Sequence, residues 1–249
     1  MIIGVIVLGL AIGLLTGFAG AGGAIITVPA LVYLIGLPLD QAISTSLVMG
    51  AVAPIAALAP RIRQRLVNWQ VVLFVVVTGI PAAFAGTAVG KLIPQNILLL
   101  AFAALMVAAG VQMLRPRPSQ PSSERPRYWV LRALLIGAFV GFLTGLFGIG
   151  GGFITVPALV LLLDIPIGIA VGTSLAVALI NTLAGLIAHA GAADPNWAVA
   201  VAFTVPSMIG AFLTARLAHK VNPVLLQRSF AILVLMIAVL TAIQVILAW

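Results

Sequence analysis

The chain has no cysteine among its 249 residues, only four carboxylates and only two histidines. Without a thiol, disulfide frameworks, thiolate metal sites and cysteine nucleophiles are all excluded. Charged residues make up 6%, against roughly 25% in an ordinary soluble domain, while hydrophobic residues reach 63% and the mean hydropathy is +1.32. That balance belongs to a chain that lives in lipid. The acidic groups are also missing from the interior: Asp40, Glu124, Asp164 and Asp194 fall in loops or at segment ends, and no carboxylate lies inside an apolar span. This argues against an aspartate or glutamate proton relay and against carboxylate cation sites, and leaves the interior suited to anions. The formal charge of +8 does not point to nucleic acid, because the basic residues sit in short clusters between apolar spans, where they mark cytoplasmic loops. An intramembrane enzyme needs a paired base and nucleophile or a metal constellation. The sequence offers neither, so no catalytic residue, cofactor or metal is expected.

Against this apolar background one stretch returns. Residues 16–32, TGFAGAGGAIITVPALV, recur 128 positions later as residues 144–160, TGLFGIGGGFITVPALV, with 12 of 17 positions identical. Apolar segments run over residues 2–16, 24–37, 41–60, 69–89 and 96–114, and the same five follow at 130–143, 153–163, 167–189, 197–217 and 224–249. The third to fifth of each set approach the ~20 residues of a membrane-crossing helix, whereas the first two are too short singly and too long together. The expected fold is therefore an all-α polytopic membrane protein of two repeats, with glycine-broken short helices and about ten helical segments. The amino-terminal MIIGVIVLGLAIGLL lacks a basic region and a small-residue cleavage site and reads as a retained segment. Residues 1–114 form the first repeat and 130–249 the second, joined by a cytoplasmic linker at 115–129 whose RPRPSQPSSERPR run cannot be buried.

Positive charge sets the expected orientation. Arg61, Arg63 and Arg65 follow the third segment, and Arg115, Arg117, Arg125, Arg127 and Arg132 surround the linker; both groups should be cytoplasmic. In the second copy the loop after the third segment, HAGAADPNW, has no lysine or arginine, whereas Arg216, His219, Lys220 and Arg228 lie in and just beyond the next connection. Equivalent loops with swapped bias imply an inverted repeat. The alternative merges the first two segments of each copy and gives eight transmembrane helices in two parallel halves.

The repeated motif suggests its own chemistry. Gly17, Gly20, Gly22 and Gly23 match Gly145, Gly148, Gly150 and Gly151, with Gly152 added, and such a break survives in lipid only where protein or a water-filled cavity satisfies its amides. The helix after each break, starting near Ala24 and Phe153, would aim its free N–H groups and positive dipole end at the turn, making an anion site. Two such starts could converge near the midplane. Thr16, Thr27, Thr144 and Thr155 supply nearby hydroxyls, while Pro29 and Pro157 each free a carbonyl or kink the helix. Glycines also let helices pack closely, which is the competing explanation. Thr45-Ser46 and Thr173-Ser174 recur near the start of the third segment, as substrate contacts or as side chains bonded back to their own helix. Asn181 has no polar counterpart in the first copy and is the strongest single polar candidate for a pathway, with helix-to-helix bonding an equal contender. Asn68-Trp69 and Asn196-Trp197 suit a helix cap followed by an interfacial anchor, and His189 suits an interface. Lys91 and Arg216 close the fourth segments, either as pathway mouths or as snorkelling cations.

The residues GFLTGLFGIGGGFITVPALV, then GTSLAVALINTLAG, then Asn196-Trp197 after a short loop, resemble the sulfite exporter TauE/SafE family of membrane permeases. The resemblance spans both copies. It implies a secondary transporter that exports sulfite, sulfoacetate or a related organosulfonate across the cytoplasmic (inner) membrane of a prokaryote by alternating access. Another small anion, such as thiosulfate or a carboxylate, and a non-transporting scaffold are the alternatives. The expected partners are a small inorganic or organosulfur anion and membrane lipids, with a homodimer admissible and nucleic acid excluded. Ala19, Ala21 and Ala24 stand where the second copy has Phe147, Ile149 and Gly152, so the copies should contribute unequally.

Overall fold

The computed structural model describes residues 2–19, 24–33, 35–114, 128–147, 152–188, 194–217 and 223–247. Within them the chain forms ten helices and no strand: α1 (Ile2–Ala19), α2 (Ala24–Tyr33), α3 (Leu39–Arg63), α4 (Trp69–Gly90), α5 (Gln95–Leu114), α6 (Trp129–Phe147), α7 (Gly152–Leu162), α8 (Ile167–Ala188), α9 (Trp197–Leu217) and α10 (Pro223–Leu247). Helix is the only open-ended structure that satisfies its own backbone in hydrocarbon. Five of them, α3, α4, α6, α8 and α9, are long and apolar enough to cross a bilayer. At 10 and 11 residues, α2 and α7 extend only about 15–17 Å at 1.5 Å per residue, half a bilayer core.

Matched local chemistry bounds the matched elements. Asn68 Oδ1 accepts from the Val71 N–H at 3.3 Å, and Asn196 Oδ1 from the Val199 N–H at 3.1 Å, so each asparagine caps its helix as expected. Trp69 and Trp197 follow, both exposed at the bundle surface. At the other end of the short helices, the Leu37 N–H donates to the Leu31 carbonyl at 3.0 Å and the Ile165 N–H to the Leu159 carbonyl at 3.3 Å. Each of these wrap-back bonds needs one left-handed residue, and Gly36 (φ 77°) and Asp164 (φ 51°) supply it.

The directions of the helices follow from which residues meet. Along α1, Gly9, Gly13 and Gly17 face the backbone of Phe203, Ser207 and Ala211 on α9; along α6, Gly137, Gly141 and Gly145 face Val75, Gly79 and Ala83 on α4. Numbers rise together in both pairs, so each pair runs parallel. The Asn68 N–H donates to Thr173 Oγ1 at 3.0 Å and Gly79 abuts Asn181, so α4 and α8 also run the same way. On the opposite set, the Asn196 N–H donates to Thr45 Oγ1 at 3.0 Å, while Arg61 reaches Gly17, which lies on Ala211; α3 therefore runs with α9 and α1. Between the sets the numbers oppose: Leu47 lies against Gly185 and Gly50 against Thr182, and Arg61 bonds Gly168. Helices α3 and α8 are antiparallel.

Equivalent helices thus point in opposite directions, with α1, α3 and α9 one way and α4, α6 and α8 the other. The pseudo-two-fold axis relating the copies is perpendicular to the helices, which is an inverted repeat. The eight-helix alternative with parallel halves is overturned, because it would place α3 and α8 in the same direction. Since α6 and α8 run alike, the half-length α7 between them must carry the chain back, and α2 does the same between α1 and α3. The copies are also interlocked, because the first helix of each packs on the fourth helix of the other.

Opposite directions for α4 and α9 put their exposed C-terminal residues, Lys91 and Arg216, at opposite ends of the bundle. In this cysteine-free chain, Lys91→Cys and Arg216→Cys should react with a membrane-impermeant maleimide from opposite faces of oriented vesicles. Labelling of both from the same face would contradict the inverted arrangement.

Candidate functional site

The glycine motifs expected to carry the chemistry lie largely outside the described residues: Gly20, Gly22, Gly23, Gly148, Gly150 and Gly151 all do. Gly152 is the first residue of α7. Gly17 and Gly145, expected within the breaks, instead belong to α1 and α6, where they pack on the helices of the other copy. A Cβ at either would collide with backbone, at the carbonyl of Ala211 or Ala83 respectively, so these two glycines are there for close approach.

Gly17 sits against Ala211 and Thr214, toward the C-terminal end of α9, and Gly145 against Ala83 and Thr87, toward the C-terminal end of α4. Those ends face opposite sides of the bundle. The helices that lead into the two breaks, α1 and α6, therefore finish toward opposite ends of the bundle. The short helices α2 and α7 touch each other. Thr27 and Thr155, one turn into them, are buried, as is Pro157. Pro29 lies within α2, its side chain outside the described set.

Most of the remaining hydroxyls expected at a site are engaged by the protein itself. Thr16 Oγ1 donates to the Ile12 carbonyl and Thr144 Oγ1 to the Val140 carbonyl, both at 2.8 Å. Ser46 Oγ and Ser174 Oγ bond back to Ile43 and Val171, also at 2.8 Å. Thr45 and Thr173 accept the N–H of Asn196 and Asn68 across the repeat boundary. That exchange satisfies one of the amides at each cap that the helix itself cannot serve. Lys91 is exposed at the end of α4, and the exposed Arg216 stacks its guanidinium 4.7 Å from the Phe212 ring centroid.

Asn181 differs from all of these. Fully buried in α8, it has no partner for either Oδ1 or Nδ2. Its side chain points at Gly79 of α4, where a Cβ would stand 2.7 Å from Oδ1 and 2.9 Å from Nδ2. Only glycine leaves room there. Thr182, next along α8, faces Gly50 of α3 with its Oγ1 also unpartnered. An amide buried without a partner is unfavourable by about 1–3 kcal/mol, and the buried hydroxyls of Ser44 and Thr204 are likewise unpartnered. The register of 128 puts Ala53 and Ser207 at the positions matching Asn181 and Gly79. Both small residues, Ala53 and Gly79, thus fall in the first copy and both polar ones, Asn181 and Ser207, in the second.

Sequence reasoning missed Arg61. Grouped there with the loop cations Arg63 and Arg65, it is in fact 2% exposed in the last turn of α3. Its Nη2 donates to the Gly17 carbonyl at 3.1 Å and its Nη1 to the Gly168 carbonyl at 3.4 Å, and Nε has no partner. The signal was available, because position 189, 128 residues on, is histidine, so a polar group recurs in register at the end of both third segments.

An inverted pair of interlocked repeats, half-length helices after glycine breaks and unpartnered polar groups between the helices define a polytopic membrane transporter. Comparison with known proteins agrees: residues 5–241 match the family described as Sulfite exporter TauE/SafE. The chain belongs to that family. A probable membrane transporter protein of Xylella fastidiosa (strain Temecula1) is 34% identical over 235 residues, covering 92% of this chain and 90% of the relative. The probable membrane transporter protein YunE of Bacillus subtilis is 27% identical over 256 residues, covering 92% and 94%, and one from the archaeon Methanocaldococcus jannaschii is 25% identical over 233 residues, covering 88% and 86%. No solved structure matches the chain. The protein is a multi-pass membrane transporter of a prokaryote.

Thr45→Val and Thr173→Val each strand one asparagine N–H, and each should lower stability by about 1–3 kcal/mol. Thermal unfolding in detergent checks this. Unchanged melting temperatures for both would show that the cross-repeat bonds contribute nothing.

Proposed function

We propose that this transporter exports a small sulfur-containing anion, sulfite, sulfoacetate or a related organosulfonate, across the cytoplasmic membrane as a secondary carrier. The single observation carrying this reading is the inverted pair of half-length helices, α2 and α7, each following a glycine break. The first N–H groups of a helix have no intrahelical partner and sit at its positive dipole end, which favours an anion without any cationic side chain. An interior from which the described carboxylates are excluded suits the same cargo. Asn181 and Thr182 offer the anion hydrogen bonds between the breaks.

The anion then meets the two helix starts in succession, one toward each face. Alternating access follows from rocking the parallel group α1, α3 and α9 against the group α4, α6 and α8 about the α3–α8 crossing. Residues 1–114 and 130–249 form the two repeats, and the 115–129 connection, with Arg63 and Arg65, marks the cytoplasmic face. Catalysis is no part of this reading.

Purified protein should be stabilised in a thermal-shift panel by sulfite, thiosulfate or sulfoacetate more than by sulfate, carboxylates or chloride at matched ionic strength. In liposomes the stabilising anion should move, and leucine at Gly22 or Gly150, or Asn181→Leu, should abolish that flux. Preference for a carboxylate would shift the cargo, no response to any anion would favour the scaffold, and normal flux in the leucine variants would show the breaks to be packing devices.

A further inference from the structure

We infer that Arg61, with the amide of Gln64, forms an anion-capture site at the cytoplasmic end of the α3–α8 crossing. The inference rests on the reading of the cargo as an anion. It adds a cationic residue to a site otherwise built from backbone and neutral side chains.

Among the described residues Arg61 is the only charged side chain that is buried. The described carboxylates, Asp40, Asp164 and Asp194, are all exposed, so none of them lies in the interior with it. Its acceptors are the carbonyls of Gly17 and Gly168. Carbonyl dipoles orient a guanidinium but do not cancel its charge, and a buried cation is unfavourable until an anion joins it. The Nε–H remains open. One turn along, Gln64 Oε1 is buried and also without a partner, and an amide can turn over to present its NH2 group instead. A guanidinium edge and a primary amide are the donors a small oxyanion uses, and the guanidinium fork is the side chain best matched to such geometry.

The position suits capture. Gly17 lies three residues before the first glycine break in the chain, Gly168 opens α8, and Arg61 closes α3. Helices α1 and α3 belong to one parallel group and α8 to the other, so an anion held here touches both bodies that must move. Exposed Arg63 and Arg65 stand just outside and raise the local anion concentration.

The experiment compares wild type, Arg61→Gln and Arg61→Lys, full-length in detergent, with sodium sulfite and sodium thiosulfate as probes and sodium chloride as the ionic-strength control. Arg61→Gln removes the charge and leaves one NH2 group, near where Nε stands, as a neutral donor. It should melt without anion at or above the wild-type temperature and bind the probes at least about tenfold more weakly. Arg61→Lys keeps the charge but loses Nε, and should retain a response of reduced affinity. If Arg61→Gln melts lower without anion yet keeps the wild-type anion shift, the residue is a clamp on the helix ends and the inference is overturned. Should Arg61→Gln fail to fold, Arg61→Lys decides: weakened binding supports the site and undiminished binding overturns it. A wild type that responds to no anion at all removes the proposed function, and this site with it, whereas loss of the site alone leaves that function standing.

Discussion

Close approach of backbone to backbone along two glycine faces is the constraint on which this structure depends. In lipid, helices gain little by hiding apolar surface from one another and associate through van der Waals contact and interhelical hydrogen bonds. Gly9, Gly13 and Gly17 let α1 lie directly on the carbonyls of α9, and Gly137, Gly141 and Gly145 let α6 lie on those of α4. Thr87 Oγ1 adds a longer bond to the Gly145 carbonyl at 3.4 Å, and Thr78 Oγ1 donates to Leu134 at 2.7 Å. A Cβ at most of these glycines would drive the pair apart. Because both contacts join the first helix of one copy to the fourth of the other, the glycine faces also interlock the repeats.

Interlocking has a functional consequence. Two parallel groups, each assembled from both halves of the chain, meet along the antiparallel pair α3 and α8. The half-length helices α2 and α7 reverse the chain within this arrangement, and α1 and α6 finish toward opposite faces. Of the described buried polar groups without a partner, Thr182 Oγ1 and Arg61 Nε lie where α8 meets α3, Asn181 lies between α8 and α4 within one group, and Ser44, Gln64 and Thr204 make up the rest. The engaged hydroxyls of Thr16, Thr45, Thr144 and Thr173 hold the frame.

Much of the fold was legible in the sequence because hydrophobic length and glycine or proline interruptions are read directly from an apolar chain. The ten apolar segments match the ten helices within a few residues at each end, and the asparagine caps at 68 and 196 fell where expected. The swapped charge bias pointed to inversion through residues such as Arg216, and the directions of α3 and α8 agree. Partnering was not legible. Nothing local to Thr45 says that its hydroxyl serves an amide 151 residues away, and nothing local to Gly79 says that Asn181 fills its place. Arg61 was misread because a cation beside Arg63 and Arg65 looks like a loop residue until α1 and α8 enclose it. The three-glycine faces of α1 and α6 were visible at spacing four but were overshadowed by the denser glycines that follow.

The central claim is that equivalent helices of the two copies run in opposite directions and cross as α3 and α8. Spin labels at the exposed positions Asp40, Asp164 and Ile187 test it through pulsed electron-electron distances in bilayers. The account predicts a short distance from position 40, at the start of α3, to position 187, at the end of α8, and a separation near the ~30 Å length of a 20-residue helix from 40 to 164. The reverse pattern, with 40 close to 164 and far from 187, would contradict it.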